Sequence, residues 1–353
     1  MVSDRGERLA ELVAQEDLDR LLVTDLVNVR YLTGFGGTNG ACLCGPDQRL
    51  FLTDFRYTER AASEIRGWEV VTVKGDWSEG LAGRLEGRSG FEDQHLSVRA
   101  LRQLEEKAPE GAELRPAGGL VERLRRVKDE GELAHIAEAA KLADQVYEWS
   151  LEQGLGGRAE REVSRAAEAR IRELGGEPAF PPIVAAGSNG ALPHAEAGDR
   201  EIGSGELVVF DMGAELHGYC SDCTRTYAIG EVGEAAMEVY ELVREAQAKA
   251  LDAVASEKGG REVDAVAREI IDAAGHGDHF GHGLGHGVGM QVHEAPRLSV
   301  LSEDTLGAGE VVTVEPGIYV PGEFGVRIED LVVVTEDGHR NLSDLPKDLR
   351  VVD

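Results

Sequence analysis

Apolar and polar positions along this 353-residue chain keep two different rhythms, and the change between them divides it. Up to about residue 125, short apolar runs alternate with short helical periods. Residues 8–16 read as a helix and Arg20–Val23 as a strand. NVRYLTGFGGTNGACLCG and RLFLTD, separated by a turn at Pro46-Asp47, read as a strand pair. A helix over 57–65, a strand over 68–73 and a helix over 97–106 follow. Strands alternating with helices predict an α/β domain. The run RLRRVKDEGE, 123–132, is charged and solvated, and beyond it Leu133, Ile136, Ala140, Ala143 and Val146 recur at helical spacing. The boundary therefore falls near residue 125, giving domains 1–125 and 126–353. Length alone also suggests about two domains.

The second part repeats itself. Helices over 133–153 and 159–174 precede extended segments at 207–213 and 219–229. Helices over 234–256 and 262–274 precede extended segments at 282–293, 311–315 and 325–335. Helix, helix, strands, twice over, predicts an internal duplication around a shared site and an α+β class for this domain.

One stretch stands out, HFGHGLGHGVGMQVHEAP from His279 to Pro296. Five of the ten histidines lie between His276 and His293, with glycine at 281, 283, 285, 287 and 289. Each glycine costs a helix interior about 1 kcal/mol relative to alanine, so the segment reads as extended. His282, Leu284, His286, Val288 and Met290 then share one face, and the opposite, glycine face admits a close approach to the backbone.

Composition narrows the partners. Hydrophobic residues make up 42 %, enough for packed cores, while a net charge of −29 repels nucleic acid and anionic lipid. The N-terminus lacks the apolar core of a signal peptide, and no apolar run approaches the ~20 residues of a membrane span. A soluble, cytoplasmic protein is expected. The cysteines pair as Cys42/Cys44 and Cys220/Cys223, gaps that do not make a four-cysteine zinc site, so they read as buried small apolar residues.

Candidate chemistry lies in acids at apolar strand positions. In LVVFDMGAELHGYCSDCTRTY, a tight turn at Leu216-His217 would set Asp211 directly opposite Asp222, with Cβ atoms about 4.5–5.5 Å apart. Like charges so opposed call for a cation between them, because an unpaired buried carboxylate costs several kcal/mol. Glu315 ends the apolar run VVTV before Pro316-Gly317, and Glu329 sits in GVRIEDLVVV on the face of Arg327 and Leu331. With one histidine of the glycine stretch, the set is two Asp, two Glu and one His. Such oxygen-rich donors suit Mn²⁺, Co²⁺, Fe²⁺ or Zn²⁺, and four carboxylates fit two ions better than one.

The ordered motifs FDMGA, SDCTRT, GHGLGHGVG, HEAP, VEPGIY and RIED resemble those of the pita-bread metallopeptidases, specifically the Xaa-Pro aminopeptidases and Xaa-Pro dipeptidases (prolidases). YLTGFGGTNG and LTDFRYTERA resemble the creatinase-type N-terminal domain of that group. The resemblance covers nearly the whole chain and implies a pita-bread catalytic domain with pseudo-twofold halves. It implies metal ligands Asp211, Asp222, His286, Glu315 and Glu329, with Asp222 and Glu329 shared by both ions. It also implies that His282 and His293 bind substrate and steady the tetrahedral intermediate, that His194 lies near the leaving proline, and that Arg327 lies near the second metal. His276, His279 and His339 match nothing and read as surface residues.

The activity so implied is hydrolysis of the Xaa-Pro bond at the N-terminus of peptides by a dinuclear-metal-activated hydroxide. Manganese is the expected metal, Glu315 the proton acceptor, and a homodimer the expected assembly. The N-terminal motifs favour an aminopeptidase over a dipeptidase restricted to Xaa-Pro dipeptides. A non-catalytic relative of the same fold would have lost ligands that this chain keeps. Proline-containing peptides, not nucleic acid or membrane, are the expected partners.

Overall fold

Short runs and short helical periods before residue 125 build one mixed sheet flanked by helices. The computed structural model describes residues 2–353, with side chains from Asp4 onward. The chain separates into two units, Met1–Arg125 and Arg126–Asp353. The first runs α1 (Val2–Gln15), β1 (Arg20–Val23), α2 (Leu26–Thr33), β2 (Ala41–Gly45), β3 (Gln48–Thr53), α3 (Thr58–Glu64) and β4 (Glu69–Thr72). It continues through α4 (Trp77–Ala82), β5 (Arg88–Phe91), α5 (Val98–Lys107), β6 (Glu113–Pro116) and α6 (Leu120–Arg126). Its six-stranded sheet has the order β4-β3-β2-β1-β5-β6.

Two elements here differ from the sequence reading. Residues 26–33 form helix α2, and only the segment from Ala41 joins the sheet. Asp25 caps α2 by accepting the Val27 N–H, and Gly34 closes it in the left-handed conformation, so end signals outweigh a run too short to show a period. Part of the charged run expected to be solvated is α6, which buries Leu120, Val121, Leu124 and Arg125.

The second unit opens with α7 (Glu130–Glu152), α8 (Glu160–Glu173), β7 (Glu177–Pro178), β8 (Ile183–Ala186), β9 (Glu206–Met212), β10 (Ala214–Leu216), β11 (Tyr219–Cys220) and β12 (Cys223–Ile229). It then repeats the plan with α9 (Glu234–Asp252), α10 (Gly260–Ala273), β13 (Gly285–Gly287), β14 (Glu294–Leu298), β15 (Val311–Val314), β16 (Gly317–Val320), β17 (Phe324–Arg327), β18 (Asp330–Val334), β19 (His339–Asn341) and β20 (Val351–Val352). One sheet is β20-β12-β9-β8 and another β14-β13-β15-β18-β19. Val146, Val163 and Ile171 of α7 and α8 pack on Val184, Val208 and Phe210 of the first sheet. Val243, Val263 and Ile271 of α9 and α10 pack on Val312, Val314 and Val332 of the second. Each such side chain, fully buried, contributes about 1.5–3 kcal/mol, so the two helix pairs hold the two sheets firmly. None of the described helices is long and apolar enough to cross a membrane, and all four cysteines are free and buried.

The register of the first acid pair needs correction. The turn centres on His217-Gly218, with φ of 55° and 87°, and pairs Leu216 with Tyr219. Two successive positive φ values suit a tight hairpin, and Gly218 adopts one at no steric cost, which moves the turn one residue on from the expected Leu216-His217. Asp211 therefore faces Thr224, not Asp222. Asp222 lies in a break between β11 and β12. The extended segment 325–335 is likewise two strands of different sheets, β17 and β18, with Glu329 in the link. That over 282–293 is only three residues of strand, β13, before a bent connection to β14.

Tyr147 of α7 fastens the end of β9. Its buried hydroxyl accepts the Met212 N–H at 3.1 Å and donates to the Cys223 carbonyl at 2.5 Å. Tyr147→Phe strands these backbone groups without a partner, and such losses cost about 1–3 kcal/mol. The urea midpoint of this variant should fall accordingly with an unchanged slope; an unshifted midpoint would contradict the role given to the hydroxyl.

Candidate metal centre

Strand ends and links from both halves of the second unit deliver their acids to one place. Asp211 ends β9, Asp222 occupies the break before β12, His286 is central in β13, Glu315 follows β15, and Glu329 links β17 to β18. Backbone bonds hold the two glutamates: Glu315 N–H donates to the Leu284 carbonyl at 2.8 Å and Glu329 N–H to the Thr224 carbonyl at 3.1 Å. The glycine face of the histidine stretch meets backbone from the neighbouring strands. A Cβ on Gly285 would lie 2.0 Å from the Thr313 carbonyl oxygen, and one on Gly287 2.1 Å from that of Ala295. Only glycine fits at either place, and His286 is thereby wedged between β14 and β15.

His286 Nδ1 lies 3.1 Å from the Gly287 carbonyl, which can only accept, so Nδ1 carries the hydrogen and Nε2 faces the acids. Nε2 is 3.2 Å from Glu315 Oε1 and 3.7 Å from Asp222 Oδ2. One donor atom each of Asp222, His286 and Glu329 fall within 4.8 Å of one another. Asp211 joins through Arg327, whose guanidinium donates to its Oδ2 at 2.6 Å.

The electrostatics favour a cation among these acids. Burial, then the charge of Asp211, drives Asp222 well above the usual carboxylate range. Burial, then Asp222 and Glu315, does the same to Glu329. Burial also raises Asp211, against the pull of Arg327. Burial acts to lower His286, yet its hydrogen bond to Glu315 and the nearby acids outweigh this and raise it to about 9. Burial raises Glu315, but the same pair holds it down at about 2. Asp211 Oδ1 and Glu329 Oε1 are buried with no hydrogen-bond partner among the described residues. Two orphaned carboxylate oxygens among acids whose ionisation is opposed by burial fit divalent ions, which favour the ionised form.

Around this set stand residues that the sequence reading did not single out. Thr224, fully buried, donates to Glu329 Oε2 at 2.7 Å and accepts from Arg327 Nε at 3.1 Å. The Tyr319 hydroxyl accepts from Arg327 at 2.8 Å and lies 2.9 Å from His282 Nε2. His282 Nδ1 donates to the Gly283 carbonyl at 2.8 Å, so Nε2 of the neutral ring accepts the Tyr319 proton. Both lie in quoted motifs, TRT and PGIY; their register opposite the acids was the missing signal. The His293 ring is 4.4 Å from that of His286. Burial, then the charge of His286, lowers His293, and burial lowers His282. His194 is exposed, and the adjoining Pro193 carbonyl accepts from Arg327 at 3.3 Å. His276 and His279 pair with each other at 3.1 Å, outside this cluster.

Residues 134–336 match the sequence profile of Metallopeptidase family M24, and residues 5–127 that of the Creatinase/Prolidase N-terminal domain. The chain thus belongs to metallopeptidase family M24, with the pita-bread catalytic fold and a creatinase-type N-terminal domain. It is 36 % identical over 351 residues to the Xaa-Pro dipeptidase of Pyrococcus furiosus, covering 99 % of this chain and 100 % of that one. Its structure is similar to the Xaa-Pro dipeptidase from Bacillus anthracis, with a TM-score of 0.97 and 38 % identity over 100 % of both chains. It is also similar to an X-Pro aminopeptidase from Thermotoga maritima, with a TM-score of 0.91 and 35 % identity over 99 % of this chain and 100 % of that one. Membership of a metallopeptidase family makes divalent metal the cofactor class.

A metal needs its ligands ionised, and the upward shifts of Asp222 and Glu329 oppose this, so metal uptake should tighten as pH rises and release protons. His286 adds to this effect, since it too must lose its proton. Calorimetric titration of the metal-free protein with Mn²⁺ in buffers of different ionisation enthalpy reads the release directly. Heats independent of the buffer would contradict it.

Proposed function

We propose that this chain is a metal-dependent Xaa-Pro dipeptidase, a prolidase. Five side chains, Asp211, Asp222, His286, Glu315 and Glu329, hold two divalent ions in this reading, with Asp222 and Glu329 shared. The observation that carries it is the pair of orphaned, buried carboxylate oxygens of Asp211 and Glu329 inside a net-anionic cluster. When bound, such an ion pair activates water and polarises the scissile carbonyl. The oxygen-rich donor set with one imidazole suits Mn²⁺ first. The assignment of domains to 1–125 and 126–353, a homodimeric assembly and a cytoplasmic location complete the proposal.

The chain's own residues supply the rest. Glu315, already an anion beside His286, takes the proton from the attacking water and passes it towards the proline nitrogen. His293, kept neutral by burial, donates to and orients the peptide carbonyl, while His282, its Nδ1 hydrogen committed to the Gly283 carbonyl and its Nε2 to Tyr319, lines the substrate side of the site. His194, on the exposed segment after Leu192, reaches the leaving proline. Arg327 stays charged at all accessible pH and pins Asp211 in place, and Tyr319 transmits that fixed charge to His282.

The preference for an aminopeptidase drawn from the N-terminal motifs gives way here, because the dipeptidase name recurs among full-length relatives of this chain. The aminopeptidase stays as the second reading, favoured by the full-length similarity to the Thermotoga maritima protein. Both readings share the metal centre and differ in how long a peptide it admits.

With Mn²⁺ supplied, hydrolysis should be confined to Xaa-Pro dipeptides; release of the first residue from an Xaa-Pro-Yaa tripeptide at a comparable kcat/KM would establish the aminopeptidase instead. Asp222→Asn should lower dipeptide hydrolysis by more than about a hundredfold, the upper end for losing a mere supporting partner, and reduce bound metal. Full activity in that variant would overturn the assignment of the site.

A further inference from the structure

A second set of metal-type side chains lies outside the carboxylate centre, where the β10–β11 turn meets α7. His135 and Glu138 stand one helical turn apart on α7, and His217 is the first residue of the turn pair. His135 Nδ1 is 3.7 Å and His217 Nε2 3.6 Å from the same oxygen, Glu138 Oε2. All three donor atoms lie within 4.8 Å of one another. His135 Nδ1 is shielded from solvent and has no hydrogen-bond partner among the described residues. It is a buried nitrogen aimed at a carboxylate that it does not quite reach.

The surroundings hold these groups ready. The Tyr219 hydroxyl donates to Glu132 Oε1 at 2.9 Å, tying the hairpin to the helix two residues beyond His217. The Tyr219 ring stacks on His135 at 5.6 Å with an interplanar angle of 23°, and the His135 and His217 rings are 5.0 Å apart. Donors around a tetrahedral ion at about 2.0–2.1 Å stand roughly 3.4 Å apart, so each imidazole is within a few tenths of an ångström of that spacing from Glu138 Oε2, and side-chain rotation of the exposed His217 would bring its nitrogen to the spacing from His135. One side remains open, because Glu138 and His217 are exposed.

We propose that His135, Glu138 and His217 form an accessory transition-metal site that clamps the β10–β11 turn onto α7. Two imidazoles and one carboxylate are a zinc-type donor set. Nitrogen-rich donors favour Zn²⁺, Ni²⁺ or Cu²⁺ over Mn²⁺, in contrast to the four carboxylates of the main centre. The two sites therefore sort metals by donor chemistry. His217 lies five positions before Asp222, so the clamp steadies the segment leading into the main centre.

The test loads the full-length protein with Mn²⁺, equilibrates it with Zn²⁺ and removes loose metal. Zinc per chain is then measured in the parent, His217→Ala and His135→Gln, with melting temperature in the same samples. The parent should retain one more Zn²⁺ per chain than either variant and gain a zinc-dependent rise in Tm that both lack. Unchanged peptidase activity of His217→Ala without zinc shows that the turn variant is folded. Equal zinc content and equal Tm shifts in all three proteins would overturn the proposal, whatever the outcome at the carboxylate centre.

Discussion

The second unit is organised around mutual repulsion among four carboxylates packed into one poorly solvated place. Two such charges about 4 Å apart repel by about 4 kcal/mol at the effective dielectric near a protein surface, and burial adds the cost of lost hydration. Against Asp211, Asp222, Glu315 and Glu329 the protein sets one permanent cation, Arg327, and one conditional cation, His286. Two negative charges remain uncompensated, and burial with mutual repulsion pushes Asp222 and Glu329 well above the usual carboxylate range. Asp222 shares His286 with Glu315, at 3.7 Å against 3.2 Å, and Glu329 is held by the Thr224 hydroxyl. Asp211 has Arg327 and Glu315 has His286 as the nearer cation, so the pair pushed well above the usual range is also the pair proposed to be shared between the ions.

The folding of the unit explains how such an arrangement survives. None of the four acids lies within a helix; each ends a strand or sits in a link between strands, where backbone has room to turn. The stability is supplied elsewhere, by two helix pairs packed on two sheets. Rigid parts approach the acids closely. Tyr147 locks the β9 end through two backbone partners. Thr224 uses one hydroxyl to donate to Glu329 and accept from Arg327. Arg225, fully buried, donates to Asp330 at 2.8 Å, bracing β12 against β18, and to the Leu345 carbonyl at 2.8 Å. Preorganisation of this kind leaves little for a bound ion to rearrange.

Much of this was legible in the sequence because it rests on periodicity and on residue type. The four long helices of the second unit show their helical period and appear within a few residues of the expected bounds. Acids at the ends of valine-rich runs announce buried charge. What was not legible is register. The offset of the β10–β11 turn by one residue follows from Gly218 taking a positive φ, and it exchanges Asp222 for Thr224 opposite Asp211. Glu329 appeared to lie within one long strand because a two-residue link between sheets leaves no mark on an apolar pattern. Thr224 and Tyr319 were missed for the same reason: a hydroxyl matters only once the register shows which acid it faces. Helix α2 was missed because eight residues cannot display a period, although Asp25 and Gly34 were both present as end signals.

The histidine-glycine stretch shows where pattern and packing part. Alternation correctly suggested a bare face, yet the face is bare because carbonyls of β14 and β15 come within about 2 Å of where side chains would begin at Gly287 and Gly285. Glycine is thus required by the sheet itself, before any substrate is considered. The consequence is chemical. Two strands pressed against β13 leave His286 a single orientation, its Nδ1 committed to a carbonyl and its Nε2 turned to the acids. The stretch contains enough imidazoles for a nitrogen-rich centre, but of them only His286 has a donor atom grouped with Asp222 and Glu329 among the described residues. His282 is turned to Tyr319, and His293 stands beside His286, its neutral state favoured by burial and by the charge on its neighbour. A centre with one imidazole and four carboxylates, as proposed for this chain, would keep hard, oxygen-preferring ions, and backbone crowding at two glycines would then restrict which metals this stretch can hold.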